Sequence, residues 1–200
     1  MIRALKLLRR LRLVRDPSGI AAVEFALVLP ILLTLFLGSY ELSSLLLAYL
    51  KLESAAESAA DLVAQQQANA SPLYLQSTDF TNITNAVNQT MVPFPTSGTS
   101  MKIAYASVTY NTGAPVIDWH TEVNGAPAIT VSGLPHGAAA TNMGTNSTTD
   151  SVVVAQVTYS YASPVTYALA TSYTLTEAAY VRPRYVSCVP TYLNTSHVCP

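Results

Sequence analysis

One stretch limits this chain more than any other. Ile20 to Tyr40 reads IAAVEFALVLPILLTLFLGSY, twenty-one residues with a single charged side chain, Glu24. As an α-helix it rises about 30 Å, enough to cross the hydrocarbon core of a bilayer. The core helix of a soluble protein rarely runs so far with Leu, Ile, Phe and Val on every side. The run therefore predicts one transmembrane helix over 20–40. Its flanks orient it. Arg3, Lys6, Arg9, Arg10, Arg12 and Arg15 precede it, six of the ten basic residues in the chain, whereas Glu41, Glu53, Glu57 and Asp61 follow against Lys51. By the positive-inside rule the N-terminus is cytoplasmic and the remainder is exported.

Composition removes other classes. Only 10% of residues are charged and 50% are apolar, where soluble domains carry about a quarter charged. Ordinary disorder needs the opposite balance. Beyond residue 15 only Lys51, Lys102, Arg182 and Arg184 are basic, so no basic surface for nucleic acid is expected. A cleaved secretory signal needs small residues at −1 and −3 of the cut. After the apolar run, Gly38, Ser39 and Ser44 have Phe36, Leu37 and Leu42 at the other position. A mitochondrial transit peptide would be Ser-rich, with no spanning segment directly behind it.

Past Tyr40 the apolar residues narrow to a stripe: Leu42, Leu45, Leu46, Tyr49, Leu52, Ala56, Ala59 and Val63. Spacings of three and four predict an amphipathic extension of the same helix, giving one helix from about Ile20 to about Gln67. Ser71-Pro72 closes it. A second helix is expected over Thr78–Met91, capped by Ser77 or Thr78, with Asp79 in its first turn and Phe80, Ile83, Val87 and Met91 on one side. Later segments rich in Val, Thr and Tyr predict strands: Met101–Tyr110, Ala128–Ser132, Ser151–Tyr161 and Tyr167–Val186. Gly113-Ala114-Pro115, Asn124-Gly125, Gly133-Leu134-Pro135 and Met143-Gly144-Thr145-Asn146-Ser147 read as turns, Asn124-Gly125 as a hairpin signal. The expectation is an α+β chain: a long N-terminal transmembrane and amphipathic helix, then an antiparallel β-sheet domain. Its parts are 1–19, a basic leader; 20–40, the span; 41–70, the amphipathic extension; and 71–200, the exported domain.

Cys188 and Cys199 are the two cysteines. In an exported tail a disulfide is expected, closing a loop at roughly 3 kcal/mol on a chain-entropy argument. Zinc held with His197 is the rival, but that spacing is unlike a standard zinc site. Asp118, Trp119, His120 and Glu122 cluster in what reads as a loop, with no nucleophile elbow, phosphate loop or metal spacing nearby. No catalytic residue, metal or cofactor is assigned.

The junction Asp16-Pro17-Ser18-Gly19-Ile20-Ala21-Ala22-Val23-Glu24-Phe25 carries the functional reading. A basic leader ends in glycine, and a lone glutamate sits at the fifth position of the apolar run. A carboxylate at that shallow depth costs about 1–3 kcal/mol, and a plain anchor gains nothing from it, so a partner charge is the natural hypothesis. Gly-x-x-x-x-Glu heading an apolar helix resembles the processing motif of type IV prepilins. The longer string from Gly19 through Glu24 and Phe25 to Pro30 is similar to the TadE-like minor pilins and pseudopilins of the tight-adherence (Tad) pilus. Val157-Thr158-Tyr159-Ser160-Tyr161, Pro164 and Thr176-Glu177-Ala178-Ala179-Tyr180-Val181-Arg182-Pro183-Arg184 resemble that family's closing strands. The N-terminal motif covers about 45 residues; the middle, 70–150, resembles nothing nameable.

The resemblance implies a bacterial inner-membrane precursor, single-pass, with its C-terminal domain periplasmic or extracellular in a pilus. A prepilin peptidase would cut between Gly19 and Ile20. Glu24 would neutralise the new terminal amine of a neighbouring pilin or pseudopilin subunit, with Phe25 beside it at the assembly contact, and Pro30 would kink the helix. Expected partners are the peptidase, other subunits, the Tad secretion machinery and the lipid bilayer. An uncleaved membrane-anchored binding or adhesin domain is the alternative, and an anchored hydrolase a weaker one. Cleavage would change the charge balance. Residues 1–19 carry six bases and Asp16, net +5; residues 20–200 carry four bases and ten acids, net −6.

Overall fold

The computed structural model describes residues 17–65, 75–111, 114–136, 143, 151–167 and 172–191. Most of the basic leader, Ser71-Pro72, Gly113, the turn after Met143, His197 and Cys199 lie outside them. The fold is α+β. Helix α1 spans Pro17–Ala64, α2 spans Ser77–Asn88 with a 3-10 turn at Gln89–Met91, and four strands follow: β1 Met101–Asn111, β2 Ala114–Val123, β3 Ser151–Ala162 and β4 Ser172–Val181. The strands form one antiparallel sheet in the order β2-β1-β3-β4. Two compact units divide the chain: Met1–Ser44 with Ser163–Thr171, and Leu45–Ala162 with Ser172–Pro200.

The first unit holds the N-terminal half of α1. The helix begins at Pro17, three residues before the apolar run. Proline suits the first helical position, where its missing N–H had no intrahelical partner to lose. The apolar segment from Gly19 is long and apolar enough to cross a membrane by length and composition, and its most apolar window is wholly unburied. It is compatible with a single-pass anchor. The helix continues without a break through Pro30.

In the second unit α1 ends at Ala64, near the expected Gln67. Its C-terminus is capped: the Arg184 N–H donates to the Ala64 carbonyl at 3.0 Å, and the Arg184 guanidinium pairs with Asp61. A cation there satisfies the negative end of the helix dipole. The buried face is rotated from the expected stripe. Leu52, Ala56, Ala59 and Val63 are buried as expected, joined by Ala48, Ala55, Ala60 and Ala64, but Leu42, Leu46 and Tyr49 are exposed. Alanine thus makes up most of the inward face. That face meets Ile103 and Tyr105 of β1, Val153, Ala155 and Val157 of β3, and Phe80 and Val87 of α2 in one core.

Helix α2 starts one residue earlier than expected. Its N-cap is Gln76, in extended geometry, rather than Ser77 or Thr78, and the Gln76 N–H donates to Asp79 Oδ2 at 2.8 Å. Phe80 lies 5.2 Å from Tyr105 and 5.6 Å from Trp119 between ring centroids.

Strand β1 is central and buried on both faces. Ala104, Ala106, Val108 and Tyr110 join Val152 and Val154 in a smaller core beneath Ile129 and Leu134. The expected strand Ala128–Ser132 does not form: 126–130 is irregular and Val131–Gly133 is a 3-10 turn, a cover over the far sheet face rather than a ladder member. Asn124 and Gly125 do turn, with φ of 58° and 69°, but the residues directly after them, 126–130, form no strand. The hairpin joins β1 to β2 instead, where Asn111 faces Ala114. Strand β2 occupies residues expected to be a turn and loop. Pro115 is tolerated because β2 is an edge strand, where a missing donor breaks no interior ladder.

Candidate functional site

The junction residues all lie at the head of α1. Gly19 and Ile20 sit in its first turn and are exposed. Backbone N–H groups there have no intrahelical partners, and helix ends fray, so the bond between them is in the part of the helix that unwinds at least cost. Glu24 is exposed one turn further on, amid Ile20, Val23, Phe25 and Leu27, which are also exposed. Among the described residues Glu24 has neither hydrogen bond nor ion pair. Among the described residues its surroundings are thus an apolar surface holding one carboxylate.

Pro30 lies at the middle of the apolar run. Its ring removes the N–H that would bond the carbonyl of residue 26, and its own carbonyl accepts the Thr34 hydroxyl at 2.8 Å. Ser39 and Ser43 make the same backbone return, to Phe36 and Ser39. Hydroxyls in the apolar segment are therefore satisfied within the helix.

Residues 19–61 match the model of the TadE-like protein family. That segment begins at the glycine before the expected cut and ends three residues before the helix does. The match associates the chain in general terms with components of the Tad pilus. No curated protein and no solved structure matches the chain. The TadE-like segment contains Gly19, Ile20, Glu24, Phe25 and Pro30, so every residue assigned to processing, assembly or kinking falls inside it. The sheet lies beyond it.

Sequence reasoning missed a contact in the first unit. Tyr167 was expected in a strand. The strand starts instead at Ser172, after Pro164 and after Thr166, whose φ of 53° is incompatible with a strand. Tyr167 sits in the β3–β4 connection. Its N–H donates to Glu41 Oε1 at 2.5 Å, and its hydroxyl lies 3.2 Å from that of Thr34. Glu41, read from the sequence as one of several flanking acids, is fully buried. Position alone could have flagged it, because it is the first charge after sixteen uncharged residues.

The cluster Asp118, Trp119, His120 and Glu122 is divided by a bulge in β2. Ser107 faces Trp119 while Val108 faces Ile117, leaving Asp118 as the extra residue. The bulge turns Asp118 inward, where its Oδ2 accepts the hydroxyls of Ser107 at 3.1 Å and Thr109 at 2.9 Å. Trp119 is buried and donates to the Val189 carbonyl at 2.8 Å. His120 and Glu122 point outward and pair with each other at 2.7 Å. Buried Cys188 is disulfide-bonded, with its sulfur 3.8 Å from the Ser107 hydroxyl. Cys199 is outside the described residues. No group of three or more potential ligands is arranged to hold a metal ion among the described residues.

Proposed function

We propose that this chain is a minor pilin or pseudopilin, a structural or assembly component of a Tad-type adhesive pilus. In this reading a prepilin peptidase removes residues 1–19, and the product carries a free amine on Ile20. The helix head then packs among other subunits, and Glu24 receives a neighbour's terminal amine. The role is structural, with no catalysis and no cofactor. The inner membrane holds the subunit before assembly, with the leader in the cytoplasm and the C-terminal domain outside.

One observation carries the reading: Glu24 stands exposed and without a partner in the described residues, on an otherwise apolar surface. A charge left alone in hydrocarbon is costly, and a second charge brought from another subunit offsets that cost only in one register. The family match over the same segment supports it. Glu24→Ala tests it. Recovery of the protein in sheared pili, or in complex with other subunits, should fall at least tenfold while its level in the membrane stays constant. Unchanged incorporation would refute the pairing.

A further inference from the structure

We propose that residues 163–167, the described part of the β3–β4 connection, are a second lipid-contacting element, which enters the interfacial region of the leaflet crossed by the C-terminal end of the apolar segment. This rests on the reading of Ile20–Tyr40 as a membrane span. The connection reads SPVTYALAT over 163–171 and carries no charged side chain. A solvent-exposed hairpin loop is ordinarily polar, with Gly, Asn and Asp at its turns.

Geometry places this loop beside the span. The Tyr167 hydroxyl lies 3.2 Å from Thr34 Oγ1. Thr34 is six residues before Tyr40, about 9 Å along the helix axis from the end of the apolar run. The Tyr167 N–H is bonded to Glu41, one residue past the run, so a helix embedded over that run carries the Tyr167 backbone to the boundary between headgroups and acyl chains, where tyrosine is enriched, with its phenol reaching inward to Thr34. Tyr167 remains 57% exposed and Val165 38% exposed. On the adjoining helix turns Leu33, Leu35 and Phe36 are exposed as well. Apart from the tyrosine hydroxyl these exposed side chains are apolar.

Irregular backbone at such depth needs satisfied polar groups, and two backbone donors in the described part of the loop are satisfied. The Tyr167 N–H goes to the Glu41 carboxylate, and the Thr166 N–H goes to the Ser163 hydroxyl at 3.4 Å. The phenol is placed on Thr34. Glu41 gains too, since a buried carboxylate at the end of a span needs a donor, and the loop backbone supplies one.

Depth-dependent fluorescence quenching tests the proposal. Full-length Val165→Trp and Tyr167→Trp chains are reconstituted in phosphatidylcholine–phosphatidylglycerol vesicles whose acyl chains are brominated near the headgroup end. Unsubstituted chain supplies the background of Trp119, which is 4% exposed. Leu32→Trp reports on the span. Both loop tryptophans should lose about half of their added emission, as expected for side chains ~5–10 Å into the interface. Bromines near the terminal methyl should quench Leu32→Trp more than either. Unquenched loop tryptophans beside a quenched Leu32→Trp would overturn the loop proposal alone. If all three stay bright, the span reading falls and this proposal with it. Val165→Trp leaves Tyr167 intact, so loss of the Tyr167–Thr34 contact cannot account for a negative result.

Discussion

The two halves of α1 are one uninterrupted helix with opposite designs. The N-terminal half, within the first unit, carries large apolar side chains and exposes them: Leu27, Ile31, Leu35 and Phe36 are all more than half exposed. The C-terminal half, within the second unit, buries chiefly alanine: Ala48, Ala55, Ala56, Ala59 and Ala60 are at most 1% exposed. Both halves are apolar, yet only one is a core. Large apolar side chains stay exposed on the first half, and small ones are buried in the core of the second unit. The family match spans both halves, ending at Asp61.

Substitutions can break this contrast. The largest effect is expected at Leu52, fully buried in the core of the second unit. Leu52→Ala should cost about 2–5 kcal/mol in the unfolding of that domain, whereas Leu35→Ala should stay within about 0.5 kcal/mol. Chemical denaturation in detergent, followed by near-ultraviolet circular dichroism, compares them. Equal losses would mean that the halves are not distinct. Next comes overpacking. Ala59→Leu should destabilise by about 1–3 kcal/mol, because a packed core has no room for three more carbons, while Ala26→Leu should leave the same transition unmoved.

A smaller effect concerns the sheet beneath the helix. Tyr105 is buried in that core and hydrogen-bonds the Thr84 hydroxyl at 3.1 Å. Tyr105→Phe should cost about 1 kcal/mol. Tyr110 is buried on the far face, and its hydroxyl has no hydrogen-bond partner among the described residues, so Tyr110→Phe should be close to neutral at pH 7. Burial raises both phenols, Tyr105 strongly and Tyr110 to about 12, the latter also through Tyr180. The neutral forms are thus favoured by folding. Stability should be level below the ordinary tyrosine pKa of about 10 and fall as pH rises above it, when the unfolded chain releases protons first. Melting temperature against pH should show that fall, and each Phe variant should lessen it.

The sequence made the apolar half of α1 legible because a long run with one charge has few alternative explanations. Its C-terminal half was legible as a helix but not in its facing. Leu42, Leu46 and Tyr49 match the apolar pattern, but the core buries Ala48, Ala55 and Ala60 instead. Strands β1 and β3 were legible from β-branched and aromatic density. Strand β2 was hidden, since Pro115, Asp118, His120 and Glu122 look like loop chemistry until an edge position and a bulge make room for them. The candidate site rests on a motif that is local in sequence, since Gly19, the start of the apolar run and Glu24 lie within six residues. The Glu41–Tyr167 contact was not, for it joins positions 126 residues apart, and no local pattern encodes a partner so distant.

The central claim is that the exposed head of α1 is made for assembly after a cut. The most direct test is the N-terminus of the protein recovered from membranes of cells that carry a prepilin peptidase. The account predicts a chain beginning at Ile20, with the uncut form restored by Gly19→Arg. A chain that keeps Met1 in those cells would contradict it.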